Sequence, residues 1–235
     1  MRYHLVMPAA GSGRRFSADM PKQYAVLRTS TVIEHSLASF ESDADCLGIV
    51  LVLARDDAAG AAIASRCARP VILATGGEER VHSVLAGLMA LRDRVRDEDW
   101  IMVHDAARPC LTPGDLAALK RALESDAVGG LLAIPLADTL KRGLSDSAAP
   151  PRVDATLDRS GLWRAATPQV FRYGILKDAL DRALAAQRIP TDESQAVEWA
   201  GHRSRLIAGR ADNIKVTTVD DLALASAILH ARAES

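Results

Sequence analysis

The sequence predicts an α/β fold: a mostly parallel, twisted sheet with helices on both faces, and one β-arm protruding from it. Three observations predict it. Apolar runs of strand length alternate with segments of helical period. The runs are continuous, as expected of strands buried on both faces. One stretch after residue 134 breaks this rhythm and reads as a hairpin.

The predicted inner strands are residues 5–8, 47–53, 71–73, 100–103 and 130–134. A helix over 31–40 gathers Val32, Ile33, Ser36, Leu37 and Phe40 on one face. A second, over 80–92, carries Val81, Val84, Leu85 and Leu88 at helical spacing. A third, over 113–124, has Thr112 as a natural N-cap and Pro113 in its first turn. After residue 134, "DTLKR" and "RVDATLDR" read as two extended arms around a polar, Pro-rich tip at 145–151. Such a hairpin cannot bury both faces alone, so it packs on a second subunit or covers a site. Helices resume over 174–187 and 191–200, the second with Thr191 as N-cap and Gly201 just past its end. A strand near 205–208 follows, then "NIKVT" with Lys215 at a strand end. A last helix is opened by a capping box of Thr218 and Asp221.

The chain has 235 residues, of which 49% are hydrophobic. That fits one large α/β domain or two small ones with a sizeable core, and argues against disorder. A formal net charge of −1 argues against a dedicated nucleic-acid binder. The opening apolar run is too short for a signal peptide and ends at Pro8. No run approaches the roughly 18 apolar residues of a membrane helix. Cys46, Cys67 and Cys110 match neither a metal spacing nor a disulfide framework, and read as ordinary thiols in a reducing cytoplasm.

In open parallel sheets ligands bind beyond the carboxyl ends of the strands. That rule selects the loops at 9–20, 75–80 and 104–109, and the region after 134. The first contains "PAAGSGRRFSADMPKQY". Gly11 and Gly13 let backbone N–H groups approach an anion closely, and Arg14, Arg15 and Lys22 add positive charge. The loop is neither a P-loop nor a dinucleotide fingerprint, whose third glycine is replaced by Phe16. From these residues alone, a phosphate cradle and a glycine turn with solvated arginines both stay open. Lys22, placed just after the stiffening Pro21, favours a loop that folds over a triphosphate.

This stretch resembles the signature of the 2-C-methyl-D-erythritol 4-phosphate cytidylyltransferase family. "GGEERVHSVLAGL", "VHDAARPC", "DTLKR", "TLDRSGLWRAATPQVF", "TDESQAVEWAG" and "GRADNIKVTTVDDLALA" resemble that family's blocks, in its order and over nearly the whole chain. The resemblance implies a Rossmann-like nucleotidyltransferase core over 1–136 and 161–235. It also implies a β-arm over 137–160 that swaps across a homodimer. The substrates it implies are CTP and methylerythritol phosphate, with Mg²⁺ or another divalent cation and no membrane or nucleic-acid partner.

By the same resemblance, Arg15, Lys22 and Lys215 act on the α-phosphate. Gly11, Ser12, Gly13 and Arg14 cradle the outer phosphates. Ala9, Ala10 and Gly77 meet the cytosine through backbone atoms, and Ser83 through its hydroxyl. Glu78 departs from the family, where Asp is common, and its longer side chain bears on that contact. Asp105 follows a predicted buried strand and is assigned to CTP, to the acceptor and to the metal. Arg108, Arg159, Thr167 and Thr191 complete the acceptor pocket, with Arg159 donated by the partner's arm. Arg80 reads equally as a phosphate contact or a surface residue. His104 is set aside as a base, because a phosphomonoester with its second pKa near ~6 is already an anion. Catalysis would then rest on positioning and electrostatics. The rival readings are a cytidylyltransferase for another polyol phosphate such as ribitol 5-phosphate, a non-catalytic nucleotide-binding regulator, and a nicotinamide dehydrogenase.

Overall fold

The computed structural model describes residues 1–11, 16, 20–144 and 151–234. In chain order the elements begin with β1 (Tyr3–Pro8), a single 3-10 turn (Lys22–Tyr24), the two-residue strands β2 (Val26–Leu27) and β3 (Ser30–Thr31), and α1 (Val32–Glu41). Next come β4 (Cys46–Leu53), α2 (Ala58–Ala64), β5 (Val71–Thr75), α3 (Arg80–Met89), β6 (Trp100–Val103) and α4 (Pro113–Leu123). The second half comprises β7 (Gly129–Pro135), β8 (Leu140–Leu144), β9 (Arg152–Leu157) and β10 (Trp163–Arg172). It closes with α5 (Tyr173–Ala185), α6 (Glu193–Trp199), β11 (Arg205–Ala208) and α7 (Val219–Ala233).

Seven strands form one sheet in the order β11-β7-β10-β6-β1-β4-β5. Pairs β1–β4, β1–β6, β4–β5 and β7–β11 are parallel. Alternate side chains of each strand feed two cores. Leu5 and Met7 of β1 join Ile49 and Leu51 of β4 under α1 and α4. Val6, Val50 and Val52 face α3 and α5 on the other side. Burial on both faces explains why these strands read as unbroken apolar runs. Thr31 caps α1 in a capping box with Glu34, Thr112 caps α4, and Thr218 forms the expected box with Asp221.

Four expectations need correction. Residues 71–73 are not buried on both faces: the strand they belong to, β5, is an edge strand beside β4, and Leu73 is 49% exposed. β10, ten residues long, was not foreseen; Arg164, Pro168, Gln169 and Arg172 break its apolar pattern. It runs antiparallel between β6 and β7 because the chain returns from β7 through a hairpin, with no crossover helix. The helix expected from Thr191 starts at Glu193, capped by the Asp192 carboxylate accepting from the Gln195 N–H. Lys215 lies on an irregular segment, not at a strand end. That segment is tied down where Val216 N–H donates to Ala107 C=O at 2.8 Å. The short α2 and the β2–β3 pair were also not anticipated.

β8 and β9 pair only with each other, as a separate two-stranded sheet. Leu144 and Val153 stand 58% and 63% exposed on it, so the hairpin leaves apolar surface uncovered within one chain. Most of its expected tip, residues 145–150, lies outside the described residues. Cys46 and Cys110 are buried and Cys67 half-buried, all as free thiols. Among the described residues no helix is long and apolar enough to cross a membrane.

Candidate active site

The sheet order changes direction at β1: the chain proceeds from it to β4 on one side and returns to β6 on the other. A crevice is expected beyond the carboxyl ends at such a point. A cleft of about 650 Å³ lies there, walled by the loops after β1, β5 and β6 and by the segment carrying Lys215.

The loop after β1 is held from both sides. Ala9 N–H continues the sheet to Val52 C=O at 2.7 Å. The side-chain amide of buried Gln23 donates to Ala9 C=O at 2.7 Å and to Gly11 C=O at 3.1 Å. Lys22 opens the 3-10 turn after Pro21 and lines the cleft. Tyr24 closes that turn and anchors it, its hydroxyl donating to Asp57 at 2.6 Å. Ala10 and Gly11 line the cleft with Ala9. The expected roles of Ser12, Gly13, Arg14 and Arg15 fall outside the described residues.

The loop after β5 approaches Ala10 closely. A Cβ on Gly76 would stand 2.5 Å from Ala10 Cβ and 2.7 Å from Ser83 Oγ. Only glycine permits that approach. Gly77, Glu78 and Ser83 line the cleft, and Ser83 is buried at the start of α3 rather than solvated.

Asp105, two residues past the end of β6, is 7% exposed and surrounded by cations. Lys215 Nζ lies 2.8 Å from its carboxylate, Arg80 Nε 3.0 Å and Arg108 Nε 3.5 Å. Burial alone would raise its pKa; Arg80, Lys215 and Arg108 together hold it well below the usual carboxylate range. Arg80 lines the cleft with its side chain 28% exposed, and its guanidinium is already engaged by carboxylates. Its guanidinium grips Glu193 of α6 with both terminal nitrogens, at 2.5 and 3.0 Å. Glu193 is 1% exposed; burial pushes its carboxyl up, against the pull of Arg80. Unlike the loop residues, this pair ties α3, α6 and the Asp105 turn together through charge.

The acceptor candidates divide. Arg108 sits in the same cluster and donates to Asn213 C=O at 2.8 Å. Thr167 is buried beside it, its hydroxyl oxygen accepting from Asp105 N–H at 3.1 Å. Thr191 is exposed, with its N–H donating to Gln195 at 2.9 Å. Arg159 is exposed two residues beyond β9 and, like Arg108, Thr167 and Thr191, does not line the cleft. Sequence reasoning missed Gln23, Gly76 and Glu193. Gln23 adjoins Lys22 and Glu193 opens "TDESQ", but neither residue type advertises a clamp on a loop or a guanidinium.

A glycine-lined cleft with cations at the crossover point of a doubly wound sheet is the arrangement of a nucleotide-binding α/β protein. The profile of the 2-C-methyl-D-erythritol 4-phosphate cytidylyltransferase family matches residues 3–231. A relative of that name from Ectopseudomonas mendocina (strain ymp) is 50% identical over 223 residues, covering 94% of this chain and 93% of the relative. A crystal structure of 4-diphosphocytidyl-2C-methyl-D-erythritol synthase superposes with a TM-score of 0.84 at 36% identity, over 97% of this chain and 98% of the other. The Francisella tularensis 2-C-methyl-D-erythritol 4-phosphate cytidylyltransferase superposes with a TM-score of 0.80 at 30% identity, over 97% and 100%. The chain belongs to the 2-C-methyl-D-erythritol 4-phosphate cytidylyltransferase family.

Proposed function

We propose that the chain transfers CMP from CTP to 2-C-methyl-D-erythritol 4-phosphate. The products are 4-diphosphocytidyl-2-C-methyl-D-erythritol and pyrophosphate, a step of nonmevalonate isoprenoid precursor synthesis. The observation that carries this reading is the meeting of Lys22, Lys215 and Asp105 on one glycine-lined cleft, in a chain that matches the family from end to end.

A phosphomonoester oxygen attacks the α-phosphorus of CTP, and the bond to the β-phosphate oxygen breaks with pyrophosphate leaving. The nucleophile is an anion already, so no side chain has to remove a proton. The obstacle is repulsion between two polyanions and the charge that grows in the transition state. Lys22 and Lys215, with Arg15, offset that charge at the α-phosphate. The loop of Gly11, Ser12, Gly13 and Arg14 holds the outer phosphates. Ala9, Ala10, Gly77 and Ser83 read the cytosine edge; Ala9 C=O shares its lone pairs with Gln23. Arg108, Thr167, Thr191 and the partner's arm, through Arg159, hold the acceptor.

For a divalent cation, the cleft offers the Asp105 carboxylate beside Glu78 and Glu79, and no cluster of three or more His, Cys, Asp or Glu ligands occurs among the described residues. That donor set fits Mg²⁺ carried largely by triphosphate oxygens, with Asp105 reaching it directly or through water. When bound, the ion would neutralise phosphate charge. In this reading residues 1–136 and 161–235 form the nucleotide-binding core, and 137–160 the arm of a cytoplasmic homodimer. The uncovered Leu144 and Val153 support that use of the arm.

The test is incubation with CTP, Mg²⁺ and methylerythritol phosphate or ribitol 5-phosphate, following pyrophosphate release and identifying the product by mass. Release with methylerythritol phosphate and not ribitol 5-phosphate is expected. Preference for the second would transfer the assignment to another polyol phosphate, and no release with either would refute it.

A further inference from the structure

His104 is fully buried, touches no solvent, and is not needed as a base. Its ring is nevertheless tied at both nitrogens. Nε2 lies 3.1 Å from Arg108 C=O, and Nδ1 lies 3.0 Å from the Thr167 hydroxyl. Phe40 packs against the ring, 5.1 Å between centroids.

The hydrogens follow from the partners. A backbone carbonyl only accepts, so Nε2 carries the proton. In the neutral ring Nδ1 is then bare and accepts from the Thr167 O–H. The Thr167 oxygen, its hydrogen committed, accepts in turn from Asp105 N–H at 3.1 Å. Asp105 C=O accepts from Arg108 N–H at 3.0 Å, closing a turn over 105–108. One imidazole therefore fastens both ends of that turn. It holds the start through Thr167 and the end directly at the Arg108 carbonyl.

We propose that His104 is a positioning residue: as the Nε2–H tautomer it fixes the 105–108 turn, and so sets the Asp105 carboxylate and Arg108 guanidinium toward the acceptor phosphopolyol. The proposal deepens the cytidylyltransferase reading and rests on it for the identity of the acceptor. It predicts a selective effect. CTP meets the turn only through Asp105 and otherwise meets the loops after β1 and β5, whereas the acceptor meets the turn at both Asp105 and Arg108. The two polarities also separate. His104→Asn retains an acceptor near Nδ1, His104→Gln retains a donor near Nε2, and His104→Leu retains neither.

The experiment measures KM for each substrate in the three variants, alongside imidazole ¹⁵N shifts of the wild-type protein. We expect the acceptor KM to rise at least about tenfold in His104→Leu, with the CTP KM rising severalfold less, through Asp105 alone. Both half-mimics should fall between His104→Leu and wild type. The ¹⁵N shifts should report a bare Nδ1 and a protonated Nε2. An Nδ1–H tautomer, an unchanged acceptor KM in His104→Leu, or a parallel rise in both KM values would overturn the proposal. Should His104→Leu not fold, the two half-mimics and the tautomer decide. Wild-type protein that turns over neither substrate refutes the cytidylyltransferase reading instead, and the ¹⁵N shifts then still decide the tautomer.

Discussion

Lys215 Nζ stands 2.8 Å from the Asp105 carboxylate, in a cleft that Lys22 also lines. The carboxylate holds the ammonium at the carboxyl end of the sheet without a strand beneath it. An arriving α-phosphate therefore competes with Asp105 for the same cation.

If Lys215 serves the transition state, Lys215→Ala loses turnover more than affinity. We expect kcat to fall by about 100-fold or more, with the KM for CTP changing only severalfold. Lys22→Ala should behave alike. Steady-state kinetics check both, and wild-type kcat in either variant would remove that lysine from the α-phosphate.

Gly76→Ala places a methyl group 2.5 Å from Ala10 Cβ and 2.7 Å from Ser83 Oγ. Relief requires the loop after β5 to withdraw from Ala10, which widens the slot assigned to cytosine. The expected result is a KM for CTP raised about tenfold with an acceptor KM close to wild type. Equal CTP affinity in the variant would show that the slot does not read the base.

How far the site could be read in advance follows from the same residues. Lys22, Asp105 and Lys215 were legible because glycines, cations and a strand-end acid are conspicuous in sequence. Gln23 and Glu193 were not, since their roles depend on partners 14 and 113 residues away. The pairing of Arg80 with Glu193 could not be read in advance, because a guanidinium in a loop gives no sign of a buried carboxylate waiting on a distant helix. In the fold, β1, β4, β6 and β7 announced themselves by burial on both faces. β10 escaped because an antiparallel strand crossing the site edge carries Thr167 and Gln169 where apolar residues would have marked it.

Breaking the Arg80–Glu193 pair leaves a buried charge. Glu193→Leu should therefore destabilise the fold by about 3–5 kcal/mol. Glu193→Gln, which keeps an acceptor for the guanidinium, should cost less. Denaturant unfolding measures both. A Glu193→Leu protein as stable as wild type would mean that Arg80 is satisfied by Asp105 alone.

His104 gives the fold a pH dependence of definite sign. Burial lowers its pKa from 6.5 to about 4. Between those values the unfolded chain binds a proton that the folded chain refuses, so stability is full above about pH 6.5 and declines as the pH falls toward 4. At about 1.4 kcal/mol per unit, the loss is on the order of 3 kcal/mol. His4, also lowered by burial, acts in the same direction. The low-pKa carboxylates Glu34 and Asp221, each held at about 2 by hydrogen bonds to neighbouring threonines, lose their contributions only below about pH 4. Unfolding free energies from pH 7 to 4 should show a shallower slope, by up to one proton, in His104→Asn than in wild type. Identical slopes would mean that the buried imidazole is not what the acid protonates.

Arg159 provides the test of the arm. It is exposed on its own chain and does not line that chain's cleft, so the proposed role at the acceptor is one that a second copy would fill. Arg159→Ala alone should raise the acceptor KM. The decisive form mixes two impaired proteins, Lys22→Ala and Arg159→Ala, at an acceptor concentration far below the raised KM of Arg159→Ala, and lets the subunits exchange. If the arm acts within its own chain, every site in the mixed dimer keeps one defect and activity stays low. If it reaches across, each mixed dimer holds one site with both defects and one with neither. Random exchange of equal amounts then restores about a quarter of the wild-type sites. Recovery toward that level places Arg159 in the partner's cleft, and no recovery despite proven exchange confines it to its own chain or removes it from the acceptor altogether.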